Sequence, residues 1–190
     1  MAVLLASYDP SGNGSAIDDD GYIGDSTMVL EVSQSFASGD GGTLDSAKFY
    51  LSKTGSPTGN AYARIYAHTG TYGTSSLPTG SVLATSDALN VASLTTSRVL
   101  TTLSFSGANR ISLTASTYYC VTFYYANGSA WSTAALIGKD SSSPSHAGNV
   151  GEYRSSWTAA NDQDLLFYLY VADAGGVVIP VFMNQYRQRR

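Results

Sequence analysis

The chain has one cysteine, Cys120, in 190 residues, so no intrachain disulfide is available and the domain must be held together by its core. Charge is scarce, at 13% of residues with a net of −4. That excludes nucleic-acid binding through a basic field, because neutralising phosphates needs an excess of Lys and Arg. Glutamate occurs only as Glu31 and Glu152, and histidine only as His68 and His146. Paired carboxylates for glycoside hydrolysis are not singled out by any spacing. The two histidines lie far apart and outside any hydrolase motif, and no serine sits in the sharp strand-turn-helix frame of a nucleophile. A phosphate-cradling glycine loop and a Cys/His metal set are also missing. The sequence therefore predicts no catalytic residue, no cofactor and no metal site, and no enzyme. No apolar run approaches the length that crosses a bilayer, so membrane insertion is not expected. Residues 1–9 hold only a short apolar run without a basic flank, which predicts synthesis without a secretory signal.

Helical periodicity is absent too, and a period of two takes its place. It is clearest over residues 42–68. There Ala47, Phe49 and Leu51 alternate with Lys48, Tyr50 and Ser52, and Ala61, Ala63, Ile65 and Ala67 alternate with Tyr62, Arg64, Tyr66 and His68. The intervening residues 53–60 contain Gly55, Pro57 and Gly59, which predicts that the two strands fold back on each other as an antiparallel pair. Further strands are predicted at 2–6, 27–37, 81–89, 98–105, 110–113, 117–125, 131–138, 153–157 and 163–171. In these, Val32 and Phe36, then Tyr119, Val121 and Phe123, then Leu165, Phe167, Leu169 and Val171 share a face. Residues 69–80 read as a polar loop crossing between two sheets, and 139–149 as a loop with almost no apolar content. Asp18, Asp19, Asp20 and Asp25 invite a calcium guess, but their spacing does not fit the helix-loop-helix site with its closing glutamate, and a solvated loop is the expectation. Cys120 reads as a small buried hydrophobe.

Eight to ten strands without helices predict an all-β fold, an antiparallel two-sheet jelly-roll β-sandwich with an extended C-terminal arm. The expected divisions are residues 1–26 as an edge strand and loop, 27–172 as the sandwich and 173–190 as the arm. That last segment follows the joint Ala174-Gly175-Gly176 and consists of Val177, Val178, Ile179, Pro180, Val181, Phe182, Met183 and Tyr186, with Arg187, Arg189 and Arg190 at its end. Pro180 argues against a central strand. A segment this apolar either folds back on its own domain or adds to a neighbour by strand addition, and the Gly-Gly joint favours the second.

With 14 tyrosines and 2 tryptophans, binding is the better expectation than catalysis. Flat rings stack on the apolar faces of sugars while amides and charged groups meet the hydroxyls. The candidate glycan surface is Tyr62, Arg64, Tyr66, Asn127, Trp131, Asp140, Tyr153 and Trp157. The bland alternative is that these rings only cover sheet faces.

The runs TLDSAKFYLSKTGSPTGNAYARIYAH, FSGANRISLTASTYYCVTFYY and GKDSSSPSHAGN add a resemblance. Over residues 27–171 the chain resembles the β-sandwich of "choice-of-anchor" surface proteins and of many phage and viral-metagenome structural proteins. The resemblance implies a jelly roll similar to carbohydrate-binding modules, carried as a display domain. The anchor position is taken by residues 177–190, and no export signal is evident. The expectation is therefore a virion structural protein assembled in a host cytoplasm, such as a capsid decoration, head fibre or tail-associated subunit. Its partners would be other virion proteins, copies of itself and surface glycans. The alternative is a free carbohydrate-binding module.

Overall fold

The computed structural model describes residues 1–24, 29–129 and 131–172. The expected arm, residues 177–190, lies outside them.

The described residues form an all-β sandwich of two antiparallel sheets. The first sheet contains β1 (Ala2–Tyr8), β2 (Asp19–Ile23), β4 (Gly42–Thr54), β8 (Val99–Ser104), β9 (Ser112–Leu113), β11 (Ala134–Asp140), β14 (Asp164–Leu165) and β15 (Phe167–Ala172). The second contains β3 (Glu31–Ala37), β5 (Asn60–Thr69), β6 (Leu77–Thr85), β7 (Leu89–Asn90), β10 (Tyr118–Tyr124), β12 (Val150–Tyr153) and β13 (Trp157–Ala160). Two single 3-10 turns, Val91–Ser93 and Gly107–Asn109, are the helical content among the described residues.

The 13-residue β4 is the spine of the first sheet. One of its edges pairs with β15 and then β11, and the other with β9 and β8. In the second sheet the path is β13-β12-β3-β10-β5-β6. Alternation then decides which side chains meet between the layers. Ala47, Phe49, Leu51, Ile137, Leu165, Phe167 and Leu169 face Val32, Phe36, Ala61, Ala63, Ile65, Val121 and Phe123, all at 1% exposure or less. Two aromatic contacts span the layers, Phe49 to Phe123 at 6.0 Å and Phe36 to Phe167 at 6.4 Å between ring centres.

The period-two reading of residues 42–68 holds for each strand and fails for their pairing. β4 and β5 lie in different sheets, so residues 55–59 form an arch between layers rather than a hairpin turn. In a hairpin both apolar faces would lie on one side of one sheet and need a separate cover; in the arch they cover each other. Gly55 makes the departure possible, with φ of +64° and a would-be Cβ only 2.1 Å from the Ser132 carbonyl oxygen. Tyr125 holds the arch from inside by donating its hydroxyl to the Thr58 carbonyl at 2.9 Å.

Residues 69–80 reverse the expectation in the other direction. They do not cross between sheets, because β5 pairs with β6 in the same sheet. The excursion between these strands folds onto its neighbours, and Asn149 clamps Ser76 through Oδ1 at 2.9 Å from the Ser76 amide. Three further expectations are corrected. Over its described residues the carboxylate run is not simply a loop: Asp19 and Asp20 belong to β2, and Asp18 accepts the Ser141 amide, Asp19 pairs with Lys139 and Asp20 with Arg98, while Asp25 lies outside the described residues. Residues 153–157 are not one strand but the turn of the β12–β13 hairpin. Lys139 and Asp140 close β11 as buried residues rather than opening a loop. Cys120 is buried with its thiol pushed up to about 12 by desolvation.

Candidate functional site

Register places one continuous row of side chains across the outer face of the second sheet. Trp157 on β13 pairs with Tyr153 on β12, Tyr153 with Glu31 on β3, Glu31 with Tyr124 on β10, and Tyr124 with Tyr62 on β5. The adjacent row is small, Ala159, Gly151, Ser33 and Thr122, and ends at Arg64. Large rings from either side lean over that small row. Trp157 meets Tyr66 edge-on at 6.3 Å and Tyr153 at 5.3 Å, which leaves Ser33 and Thr122 at 0% exposure although they are on an outer face. A would-be Cβ on Gly151 would lie 2.7 Å from Ser33 Oγ and 3.1 Å from a Leu77 methyl, so the glycine lets these neighbours close up beneath Trp157, whose ring it would reach at an ordinary 3.6 Å.

The result is an open concavity of about 330 Å³, lined by Glu31, Arg64, Tyr66, Tyr124, Tyr153 and Trp157 and closed at the rim by Gly80. Its volume is at the low end of the range for small-molecule sites, roughly 300–1,000 Å³. Glu31, with only 4% exposure, is its polar floor. One carboxylate oxygen accepts the Thr122 hydroxyl at 2.5 Å; the other accepts Arg64 Nη1 and the Tyr66 hydroxyl, each at 3.3 Å. Burial raises the Glu31 carboxyl above its ordinary value, against the opposing pull of Thr122, Arg64 and Tyr66. Burial, together with the Glu31 charge, pushes the Tyr66 hydroxyl up to about 12, so it remains a donor at neutral pH. Arg64 lies flat on the Tyr124 ring, its guanidinium carbon 3.6 Å from the ring centre. Its Nε is buried without a hydrogen-bond partner.

Of the eight residues expected from the sequence, Arg64, Tyr66, Tyr153 and Trp157 come together here, and Tyr62 extends their row beyond the rim. The other three do not join them. Trp131 stands 60% exposed beside Tyr22, on a different cleft. Asn127 lies against the arch, its Nδ2 2.3 Å from a would-be Cβ on Gly59. Asp140 is buried at 2% exposure, accepting the Tyr8 hydroxyl at 2.7 Å and the Ser143 amide at 3.0 Å, so it has no face left for a glycan.

Two members of the concavity escaped the sequence reading, Glu31 and Tyr124. Both were visible as outward residues of their strands; what was missing was the pairing of β3 with β10 that puts them side by side. A buried polar node was missed as well. Gln34 holds an inward position between Val32 and Phe36, donates to Asp164 Oδ1 at 3.0 Å and accepts the Leu165 amide at 2.9 Å. His146 closes the node, its Nδ1 3.0 Å from Gln34 Nε2 and receiving the Gly148 amide at 3.1 Å. Burial lowers this imidazole to about 4, so it is neutral with its proton on Nε2. The other histidine, His68, bonds the fully buried Ser76 hydroxyl at 2.9 Å. Among the described residues no group of three His, Cys, Asp or Glu side chains is arranged to hold a metal, and no helix is long and apolar enough to cross a membrane.

Compared with protein-family models, with curated proteins and with solved structures, the chain finds no match in any of the three. Whatever is read of its function rests on the geometry above.

Proposed function

We propose that this chain is a display module whose β-sandwich binds glycans on the outer face of its second sheet. The observation that carries this reading is the concavity itself. Half-buried Tyr124, Tyr153 and Trp157 offer rings for the apolar face of a sugar, while the Glu31–Arg64 pair beneath them offers an acceptor and donors for hydroxyls. Because the two charges already offset each other, an uncharged sugar leaves neither unpaired. The test is a glycan array probed with the full chain, followed by titration of any hit against Trp157→Ala and Tyr153→Ala. Each substitution is expected to weaken binding at least fivefold, since removing a ring that anchors a ligand costs about 1 kcal/mol or more. An array without hits, or variants that bind like the parent, would overturn the reading.

A second observation favours attachment to a virion. Val3 and Leu4 on β1 are 48% and 47% exposed, and among the described residues β1 pairs only on its β15 side. Ala2 pairs with Ala172, so the last described residue lies at this apolar edge. The occupant proposed for the edge is a second copy of the chain, tethered by residues 177–190 in a particle assembled in a host cytoplasm. Light scattering is expected to show an oligomer for the full chain and a monomer after removal of residues 177–190. Assembly unchanged by the truncation would remove the tether, and a monomeric full chain would remove the assembly reading altogether.

A further inference from the structure

We infer that the cleft at the open edge of the sandwich, walled by Trp131 and Tyr22, is a second saccharide site, separate from the outer-face concavity and built for an uncharged sugar. The proposal goes beyond the outer-face reading and does not depend on it.

The cleft begins with a violation of the sandwich pattern. Alternation puts Asp19 on β2, Lys139 on β11 and Glu152 on β12 in phase with the buried Ile23, Ile137 and Val150. Asp19 and Glu152 keep their side chains 52% and 26% exposed at the mouth, whereas Lys139 is buried, and a buried ammonium is costly unless it is paired. The three groups are joined in one chain: Lys139 Nζ lies 3.2 Å from Asp19 and donates to Gln163 Oε1 at 2.6 Å, Gln163 Nε2 reaches Glu152 at 3.5 Å, and Arg154 stands 3.6 Å from Glu152. The Lys139 side chain is only 9% exposed, so its ammonium is a buried donor at the side of a cavity rather than a surface charge.

These groups and the ends of the two sheets enclose a cleft of about 260 Å³, with Ile23, Val29 and Val32 at its apolar base. Trp131 overhangs it at 60% exposure, the most exposed aromatic ring among the described residues, held only edge-on by Tyr22 at 5.1 Å. An indole left uncovered over a cavity walled by the Lys139 ammonium, Arg154 and the carboxylates of Asp19, Asp20 and Glu152 combines a stacking face with donors and acceptors for hydroxyls. Charge selects the ligand. Lys139, Arg98 and Arg154 are offset by Asp19, Asp20 and Glu152, pair by pair. A carboxylated or sulfated sugar, or an amine, would leave one charge uncompensated, whereas a neutral polyol satisfies both signs through its hydroxyls. The two sites lie on opposite faces of β12, Tyr153 turned to one and Glu152 to the other, so a single branched or clustered glycan surface can engage both and gain by avidity.

The chain contains two tryptophans, and each site holds one of them, which makes the test direct. The full chain labelled with 5-fluorotryptophan is titrated with neutral gluco-, galacto-, manno- and xylo-configured oligosaccharides, with sialylated and sulfated ones alongside, and followed by fluorine NMR. Trp131→Phe assigns the two signals; at so exposed a position it leaves the fold intact. The expected result is a saturable shift of the Trp131 signal with a neutral oligosaccharide, persisting in Trp157→Ala, and at least a tenfold loss of that second binding event in Trp131→Ala. A shift of the Trp157 signal alone overturns this inference and leaves the outer-face site standing. A shift of the Trp131 signal alone does the reverse. If charged probes move the Trp131 signal at lower concentration than neutral ones, the assignment to uncharged sugars is wrong. Silence at Trp131 with every probe leaves the charges of the cleft only the task of keeping the sheet edge from pairing with other chains.

Discussion

Replacing Glu31 with Ala is expected to cost about 3 kcal/mol in chemical denaturation at pH 7 and to abolish binding at the outer-face concavity, whereas Glu31→Gln costs less than about 1 kcal/mol. Glu31 is the shared acceptor of Thr122, Tyr66 and Arg64. Alanine strands all three donors, two of them buried, and leaves a guanidinium with its Nε already unpartnered over the Tyr124 ring. Glutamine keeps one oxygen acceptor for Arg64 and Tyr66 and turns its amide NH2 to the Thr122 hydroxyl, which can accept as well as donate. The pH dependence is a second readout, shared by both variants because neither keeps a carboxyl. Because burial holds the Glu31 carboxyl above its ordinary value, the ionised form is less favourable in the folded chain than in the unfolded one. The folded state's advantage is then complete below about 4.5 and is lost as pH rises through the folded value. Glu31→Gln removes that dependence, so its stability relative to the parent should improve from acid to neutral pH. An alanine variant as stable as the parent would show that the carboxylate does not organise this face.

The face of each strand was legible in the sequence because a period of two needs no partner to be seen. Phe49 and Leu51, Ala63 and Ile65, Val121 and Phe123, Phe167 and Leu169 all point where alternation puts them, into the layer between the sheets. Pairing was not legible, and pairing is what assembles a site. Glycines at 55 and 59 with a proline between them are compatible with a hairpin or an arch; the choice falls to whether two apolar faces cover each other or wait for a third element. The same gap explains the candidate glycan surface. Tyr66 and Arg64 come from a neighbouring pair of positions on one strand, but Trp157 and Tyr153 reach them only because β12, β3 and β10 intervene with Gly151, Ser33 and Thr122, residues small enough to be leaned over. Asp140 was misplaced for a related reason. A polar run beginning at Lys139 looks like a loop until β2 and β14 pair with its first residues, at which point the Asp140 carboxylate becomes a buried group with Tyr8 as donor.

Gln34→Leu is expected to destabilise the chain by about 3 kcal/mol at pH 7, although it exchanges a polar residue for an apolar one in the middle of the core. Gln34 shares its inward phase with Val32 and Phe36 and is 0% exposed, so pattern alone would recommend leucine. Its amide, however, is the link between sheets at this end of the sandwich. It meets the Leu165 amide, the Asp164 carboxylate and His146 Nδ1, and Asp164 in turn accepts the His146 amide at 2.8 Å. Leucine orphans a buried N–H, at about 1–3 kcal/mol, and removes a donor from a buried carboxylate, for which the added apolar contact compensates only in part. Asp164 gives the check. Burial, with the charge of Asp140 added, already holds its carboxyl above the ordinary value. With one donor gone the ionised form is less favourable still, a cost present above the folded value and absent once the group is protonated. The penalty of Gln34→Leu should therefore shrink as pH is lowered from 7 toward 4, and adding Asp164→Asn should recover about 1 kcal/mol of it at pH 7. His146 adds to the same trend: in the parent its buried neutral form stabilises the fold fully above about 6.5, a contribution lost as pH falls toward about 4. In the variant Nδ1 lacks the Gln34 donor that favours the neutral ring, so less is lost there and the gap narrows further at low pH, and the Asp164→Asn arm separates the carboxylate's share from the imidazole's. A leucine variant with the parent's stability, or a penalty indifferent to pH, would mean that the two layers are joined at this end by their apolar contacts alone.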